Sequence, residues 1–316
     1  MRKGTIILLL GITIWVIISG CKKGNEQPKA VQSQSVTRQH KQPDETIPAA
    51  GEIKTGVNDA TLHYERGRAY QRQGKFDDAI VEFQEAIRIK PEFAEGYNNL
   101  GVSYQFQGKF DEAITQFQKA ISIDPELVAA HHNLGVIYIY RGKLNEAIAA
   151  FQKVVELRPQ FAKARVDLGK AYGLKGNLDE AIAELKEAIE LEPDIPAAHY
   201  NIGMAYRYKG EFDEAITALR EAIRLKPDFA EAHSHLGMVY KQKSMLDEAI
   251  VELEKAIKLK LDNPEIHNDL GGVYMKKKMY EKAIKEFERA IEINPDYAQA
   301  RNNLRIAQLR LARKRK

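Results

Sequence analysis

Residues able to carry out chemistry are few in this 316-residue sequence. Cys21 is its single cysteine, so an intrachain disulfide is excluded. The sequence contains no HExxH metal-binding helix, no GxSxG nucleophile elbow, no P-loop and no GxGxxG dinucleotide fingerprint. We therefore expect the protein not to be an enzyme and to bind no cofactor.

Histidine spacing raises the question of a metal site. Five histidines recur at a fixed interval or at twice that interval, and His132 and His235 lie beside this series. The five are His63, His131, His199, His233 and His267. Neighbouring helices pack about 8–10 Å apart, whereas a metal holds its nitrogen ligands at about 2.0–2.1 Å. We therefore expect no metal site, and interpret the series as a half-buried packing position.

The whole sequence after residue 60 repeats with the interval that separates His199 from His233. A glycine series consists of Gly67, Gly101, Gly135, Gly169, Gly203, Gly237 and Gly271. A tyrosine series consists of Tyr70, Tyr104, Tyr138, Tyr172, Tyr206, Tyr240 and Tyr274. Alanines from Ala79 to Ala283 follow the same register, as do prolines from Pro91 to Pro295 with Leu261 in one place. A mid-helix glycine lowers helix stability, so its recurrence indicates a close approach of a neighbouring helix.

The period of about 34 residues and the order Leu-Gly, Tyr, Ala, Phe and Pro resemble the tetratricopeptide repeat (TPR) family over about residues 60–297. The resemblance implies an all-α fold, an α-solenoid superhelix of seven helix-turn-helix repeats in which each second helix begins at an N-cap such as Asp111. The predicted repeats are 60–93, 94–127, 128–161, 162–195, 196–229, 230–263 and 264–297. Residues 298–316 are predicted to form a basic C-terminal capping helix, as such arrays need a solvated end. Ser244 and Lys278 replace the turn glycine, so looser final repeats are expected.

The N-terminus has the features of an export signal. Basic Arg2 and Lys3 precede an apolar run over 5–18 that is short for a membrane span. Ile18-Ser19-Gly20-Cys21 then resembles the lipobox of bacterial lipoproteins, which implies a signal peptide at 1–20 and acyl chains, palmitate among them, on Cys21. An uncleaved signal anchor is the alternative. Residues 21–59 have few large apolar side chains and are predicted to form a disordered tether.

This anchor predicts a location outside the cytoplasm, in the bacterial cell envelope. Lys22 follows the cysteine where the sorting pattern of inner-membrane lipoproteins has aspartate, which favours the outer membrane facing the periplasm in a Gram-negative cell. Residues 60–300 have six more acidic than basic side chains, and seven cations are concentrated in 301–316. Nucleic acid needs a basic stripe along the binding surface, so it is not an expected partner. The basic end is interpreted as a helix cap, with an acidic partner or anionic lipid as the alternative.

In the TPR family, the side of each first helix opposite the Leu-Gly-Tyr stripe forms a concave groove for peptides or helices. Repeats three to five are the most apolar on this side. The predicted groove residues are His132, Val136, Ile139, Tyr140, Val166, Lys170, Leu174, Tyr200, Met204, Arg207 and Tyr208. The alternatives are that the tether covers this side or that it is a dry interior. No repeat has the Lys-then-Asn pair of the TPR carboxylate clamp, so chaperone tails are not expected ligands.

These features together predict a membrane-anchored scaffold or assembly factor of the cell envelope. Its expected partners are other envelope proteins, bound through a peptide or helical segment, and no small-molecule substrate is expected. The alternative function is an accessory or regulatory subunit that recruits an envelope enzyme, such as a glycosyltransferase or a hydrolase. A direct carrier of carbohydrate or lipid is a further alternative, which would require a deep pocket.

Overall fold

A computed structural model describes residues 57–259 and 261–315. The predicted signal peptide, Cys21 and nearly all of the tether lie outside these residues. The described part of the chain forms fifteen α-helices and no strand, which confirms the predicted all-α class. No helix within it is both long enough and apolar enough to cross a membrane.

The helices alternate between the first and second members of successive pairs, and a final helix follows the last pair. Their bounds are α1 Val57–Arg72, α2 Phe76–Ile89, α3 Ala94–Phe106, α4 Phe110–Ile123, α5 Val128–Tyr140, α6 Leu144–Leu157, α7 Ala162–Lys175, α8 Leu178–Leu191, α9 Pro196–Lys209, α10 Phe212–Leu225, α11 Ala230–Gln242, α12 Leu246–Lys258, α13 Pro264–Lys276, α14 Tyr280–Ile293 and α15 Ala298–Lys314.

The described part of the chain divides into two compact units, one that ends at residue 160 and also includes 174–176, and one that comprises 161–173 and continues from 177. The described part of the first unit contains α1 to α6, and in it each helix packs on the next while the first helices α1, α3 and α5 also touch in sequence. The second unit contains most of α7 and all of α8 to α15. In this unit α9, α11, α13 and α15 make the corresponding contacts. Each unit is thus built from stacked helix pairs.

The repeated glycine lies against a large side chain from the second helix of its pair. A Cβ atom on Gly101 would be 2.7 Å from the ring of Phe117 on the second helix of the same pair. On Gly203 it would be 2.8 Å from Leu219. Both partner side chains are fully buried. The sequence-based expectation of a close helix approach at this position is therefore confirmed, and the partner is the second helix of the same repeat.

The second helix of each pair begins one residue before its predicted N-cap. Helix α4 starts at Phe110, and Lys109 is the N-cap residue without a side-chain hydrogen bond. The prediction that Asp111 caps the helix is therefore wrong. Gly108, at φ +73°, lets the chain reverse in three residues, and Phe110 then packs on Tyr140. Asp111 lies in the first turn, where a carboxylate complements the helix dipole.

Two repeats lack glycine at this turn and nevertheless keep its backbone conformation. Ser244 has φ 62° and Lys278 has φ 58°, in the left-handed region that five glycines occupy at the equivalent turns. A side chain in this region costs about 1–2 kcal/mol because Cβ approaches the following carbonyl oxygen. Repeats six and seven therefore carry local backbone strain.

Relief of this strain is testable. Ser244→Gly and Lys278→Gly should each raise the free energy of unfolding by about 1 kcal/mol, since the gain at φ > 0 exceeds the entropy cost of glycine. Chemical denaturation followed by circular dichroism measures the change. Gly108→Ser is the matched reverse variant and should lose a similar amount, because no atom lies within 4 Å of its Cβ position and only the backbone angle is affected. Unchanged stability in all three variants would show that the turns relax freely.

Candidate functional site

The predicted docking residues lie on the first helices of the pairs, on the side that we call the inner face. The predicted residues of the first unit all lie on α5. Val136 is 36% exposed and Tyr140 is 46% exposed, whereas His132 and Ile139 are half-buried. The His132 ring packs edge-on against Phe151, with 5.7 Å between ring centroids. Large apolar side chains are thus accessible on α5 while their neighbours anchor the helix.

Each exposed aromatic side chain of the first unit rests on a second ring. Tyr140 lies against Phe110 with 4.7 Å between ring centroids. Phe106 is 47% exposed and stacks on Phe76 at the same centroid distance, with 7° between the ring planes. Sequence reasoning missed Phe106, although it stands one repeat before Tyr140 at the equivalent position. The inner face of this unit therefore presents two exposed rings whose orientation is already fixed.

The predicted residues on α7 differ in accessibility. Val166 is 5% exposed and packs in one cluster with Ala181 and Ile202. It is a packing residue, so its prediction as a docking residue is wrong. Lys170 is exposed and Leu174 is half-buried.

Helix α9 supplies the remaining predicted residues, all half-buried: Tyr200, Met204, Arg207 and Tyr208. The Tyr200 ring lies 4.9 Å from that of Phe229, and burial raises the pKa of its hydroxyl. The Arg207 guanidinium carbon lies 4.6 Å from the centre of the Tyr208 ring, which is a cation–π distance. The inner face of the second unit is therefore aromatic and positively charged at this point.

Three histidines of the series join the two helices of a pair, and the other two contact the loop before their helix. Nδ1 of His63, His233 and His267 lies 2.6, 2.6 and 2.7 Å from a glutamate oxygen on the second helix of the same repeat. Nε2 of His131 and His199 lies 2.9 and 2.8 Å from a proline carbonyl at the preceding loop. These rings have protein partners, and the described residues contain no group of three or more side chains arranged to hold a metal.

His267 is the member of the series that contacts two carboxylates. It is 6% exposed, and its Nε2 lies 2.8 Å from Asp262 in addition to the Glu286 contact. Burial by itself lowers the pKa of His267, but the hydrogen bonds to the two carboxylates outweigh it and raise the pKa above the ordinary 6.5. The protonated ring can donate to both acids, which is the physical cause of this upward shift.

Stability should therefore depend on pH through this residue. A raised pKa in the folded state contributes stability that is fully present below pH 6.5 and is lost as the pH rises through the raised pKa. The difference in free energy of unfolding between wild type and His267→Gln should thus be largest near pH 6 and shrink towards pH 9. Denaturant titrations across this range provide the measurement. Glu286→Gln should flatten the dependence, and a constant difference would contradict the ionic interpretation.

Comparison with known proteins places this arrangement among repeat proteins. Residues 127–315, more than half of the chain, match the family model described as the Cilia and flagella-associated protein 70 C-terminal domain, a TPR model. Residues 67–108 match a TPR repeat model, and residues 92–160 match a tetratricopeptide repeat model. The chain therefore belongs to the TPR family that the first model describes. No curated protein matches it by sequence.

Solved structures agree with this assignment. A chain of the APC/C hetero-tetramer Cut9–Hcn1 superposes with a TM-score of 0.65 at 22% identity, covering 78% of this chain and 49% of that one. Our chain thus spans about half of its length. A TPR protein from Parabacteroides merdae gives 0.63 at 17% identity, covering 79% and 99%. A MamA protein gives 0.50 at 28% identity, covering 55% and 95%. The first two likenesses concern the fold alone.

The function that this family assignment supports is a general one. The TPR fold is that of a protein–protein interaction scaffold, and the family is typically non-enzymatic. The accessible side chains on the inner faces of α3, α5 and α9 are then the candidate contact residues.

Proposed function

We propose that this protein is a membrane-anchored interaction scaffold of the bacterial cell envelope, and that it binds a peptide or helical segment of another envelope protein on its inner faces. The observation that carries the binding half of the proposal is the exposure of Tyr140 and Phe106. Both are large, apolar and about half exposed on a face that the helix-pair packing does not use. Exposed aromatic side chains of this kind are enriched at protein interfaces.

The fixed orientation of these rings favours tight binding. Each ring already rests on another aromatic side chain, at 4.7 Å in both cases. Little side-chain freedom therefore remains to be lost when a partner covers them, and reduced ordering cost increases affinity. The half-buried Met204 and Tyr208 extend the same type of surface in the second unit.

The location half of the proposal depends on the N-terminal sequence. The lipobox-like residues Ile18 to Cys21 support export and acylation of Cys21. Stable attachment requires more than one acyl chain, which a fully modified lipoprotein cysteine provides. The segment up to residue 56 would then connect the lipid to the repeats. The outer membrane is the proposed site in a Gram-negative cell, because Lys22 follows the cysteine.

A double substitution tests the binding surface. Tyr140→Ala with Tyr208→Ala should reduce capture of crosslinked partners from intact cells by more than tenfold, since an aromatic anchor at an interface is often worth about 2 kcal/mol or more. The folding cost should be smaller, about 1 kcal/mol for loss of the Tyr140–Phe110 pair. Quantitative mass spectrometry of the captured proteins and a thermal melt give the two readouts.

The matched control is Val81→Ala with Val251→Ala. These side chains are 64% and 62% exposed, one in each unit, and they lie on the second helices α2 and α12. This control should melt like wild type and capture the same partners. Equal capture by both double variants would place binding elsewhere on the molecule.

The anchor has its own test. Cys21→Ser should abolish incorporation of a fatty-acid analogue, because the sequence has no other cysteine that could be acylated. The variant should remain as an unprocessed or soluble protein, since it lacks the lipid anchor. Metabolic labelling followed by membrane fractionation measures both effects. Label retained by the serine variant would refute acylation at Cys21 without bearing on the binding surface.

A further inference from the structure

One position on the inner face donates a side-chain hydrogen bond to the next first helix in two repeats, and in a third repeat its buried Nε has no hydrogen-bond partner. It lies in the last turn of a first helix and faces the next first helix along the chain. In the first unit, Gln71 Nε2 donates to the Asn99 carbonyl oxygen and to Ser103 Oγ, at 2.9 Å in both cases. In the second unit, Lys241 Nζ donates to Asp269 at 2.8 Å. A donor from one helix thus meets an acceptor from the next.

Arg207 is the residue at this position in repeat five, one period before Lys241. His235 stands where Asn99 and Asp269 stand in the other repeats. Arg207 Nε and His235 Nδ1 are both buried and have no hydrogen-bond partner within the described part of the chain. Arg207 also forms no ion pair there. A permanently charged guanidinium therefore faces an imidazole where the next repeat provides a carboxylate.

The pKa of His235 is consistent with the lack of a carboxylate beside Arg207, because no acid stabilises the protonated ring. Burial, together with a smaller effect of the positive charge of Arg207, lowers the pKa of His235 to about 3. The ring is consequently neutral at physiological pH and has one N–H group to donate. Burial raises the pKa of Tyr200, and the negative charge of Glu231 raises it further. Glu231 lies on the same helix as His235, yet it makes no ion pair with Arg207. Arg207 thus has no ion-pair partner among the residues that the structure describes.

Aromatic rings fix the geometry around these two donors. The Tyr200 ring lies 5.7 Å from the His235 ring, and the Tyr208 ring lies 4.6 Å from the Arg207 guanidinium carbon. The guanidinium group thus lies against a ring face. A planar, preoriented guanidinium is suited to a carboxylate, which it can bind through two parallel hydrogen bonds.

We propose that Arg207 and His235 bind a carboxylate group of the partner segment, beside the rings of Tyr200 and Tyr208. The guanidinium donates to the carboxylate oxygens, and the imidazole N–H supplies a further donor. The inference rests on the proposed scaffold function, because it names the chemistry of the segment that the scaffold binds. The partner is therefore an acidic peptide segment whose carboxylate completes the contact that Asp269 provides in the next repeat.

Defined peptides test this directly with the full-length protein in detergent micelles. The probes are fluorescein-labelled nonapeptides with one shared apolar framework and an amidated C-terminus, carrying either Glu or Gln at the central position. A third set has central Gln and a free C-terminal carboxylate, which separates a side-chain acid from a chain terminus. Fluorescence anisotropy should show at least tenfold tighter binding for one of the carboxylate sets than for the amidated Gln set.

Two variants and a control connect the preference to the site. Arg207→Gln should remove the preference, whereas Lys186→Gln should keep it, because it deletes the same charge from an exposed position on α8. His235→Asp installs the acceptor that Lys241 already has, so it should raise the melting temperature and also abolish the preference. Melts of all variants establish that each one is folded.

The outcomes are separable from those of the scaffold proposal. Equal binding of all peptide sets by the wild type overturns the carboxylate site and leaves the scaffold function standing. A preference that survives in folded Arg207→Gln overturns it as well. Absence of binding by every set also counts against the site, whereas the scaffold function is judged separately by the capture experiment on Tyr140 and Tyr208.

Discussion

The contact between a glycine on the first helix and a large side chain on the second fixes the geometry of every repeat. At Gly101 and Gly203 a Cβ atom would come within 2.7 and 2.8 Å of the facing side chain. The two helix axes can approach this closely only because glycine leaves the space empty. Phe117 and Leu219 then fill that space completely and are fully buried. The glycine costs helix stability and the packing it permits offsets that cost.

Because packing uses one side of each first helix, the opposite side can differ from repeat to repeat without disturbing the fold. The last-turn position on this side shows the consequence. It holds a neutral amide at Gln71, a cation paired with an acid at Lys241, and a cation without an acid at Arg207. The same backbone therefore supports structural hydrogen bonds in some repeats and leaves a cation without a hydrogen-bond partner at Nε in another.

The exposed aromatic side chains follow a related principle. Phe106 and Tyr140 are exposed, yet each is supported by a ring from the preceding second helix. The supporting residues, Phe76 and Phe110, are the first residues of α2 and α4. The tight turn after each first helix brings these rings beneath the inner face. The feature that starts the second helix thus also orients the surface that a partner would contact.

Much of the fold could be predicted from the sequence because a single fixed period presents the same packing requirement in every repeat. Gly101 and its equivalents predicted a close helix approach, and the structure contains one. Local detail was harder to predict: α4 starts at Phe110, one residue before the N-cap that the sequence suggested, and Leu144 starts the next second helix at the equivalent position. The sequence pattern likewise did not predict the burial of Val166, which is 5% exposed.

The sequence by itself determined the helix pairing, the register and the side of each helix that packs, because these follow from which residue types recur at a fixed spacing. Only the tertiary structure decided which residues on the other side are accessible and which have partners. Val166 is buried because Ile202 and Ala181 pack in the same cluster, and Arg207 lacks an acceptor because His235 stands opposite it. Both facts depend on residues from different helices, whose side-chain contacts are set by packing distances that periodicity does not contain.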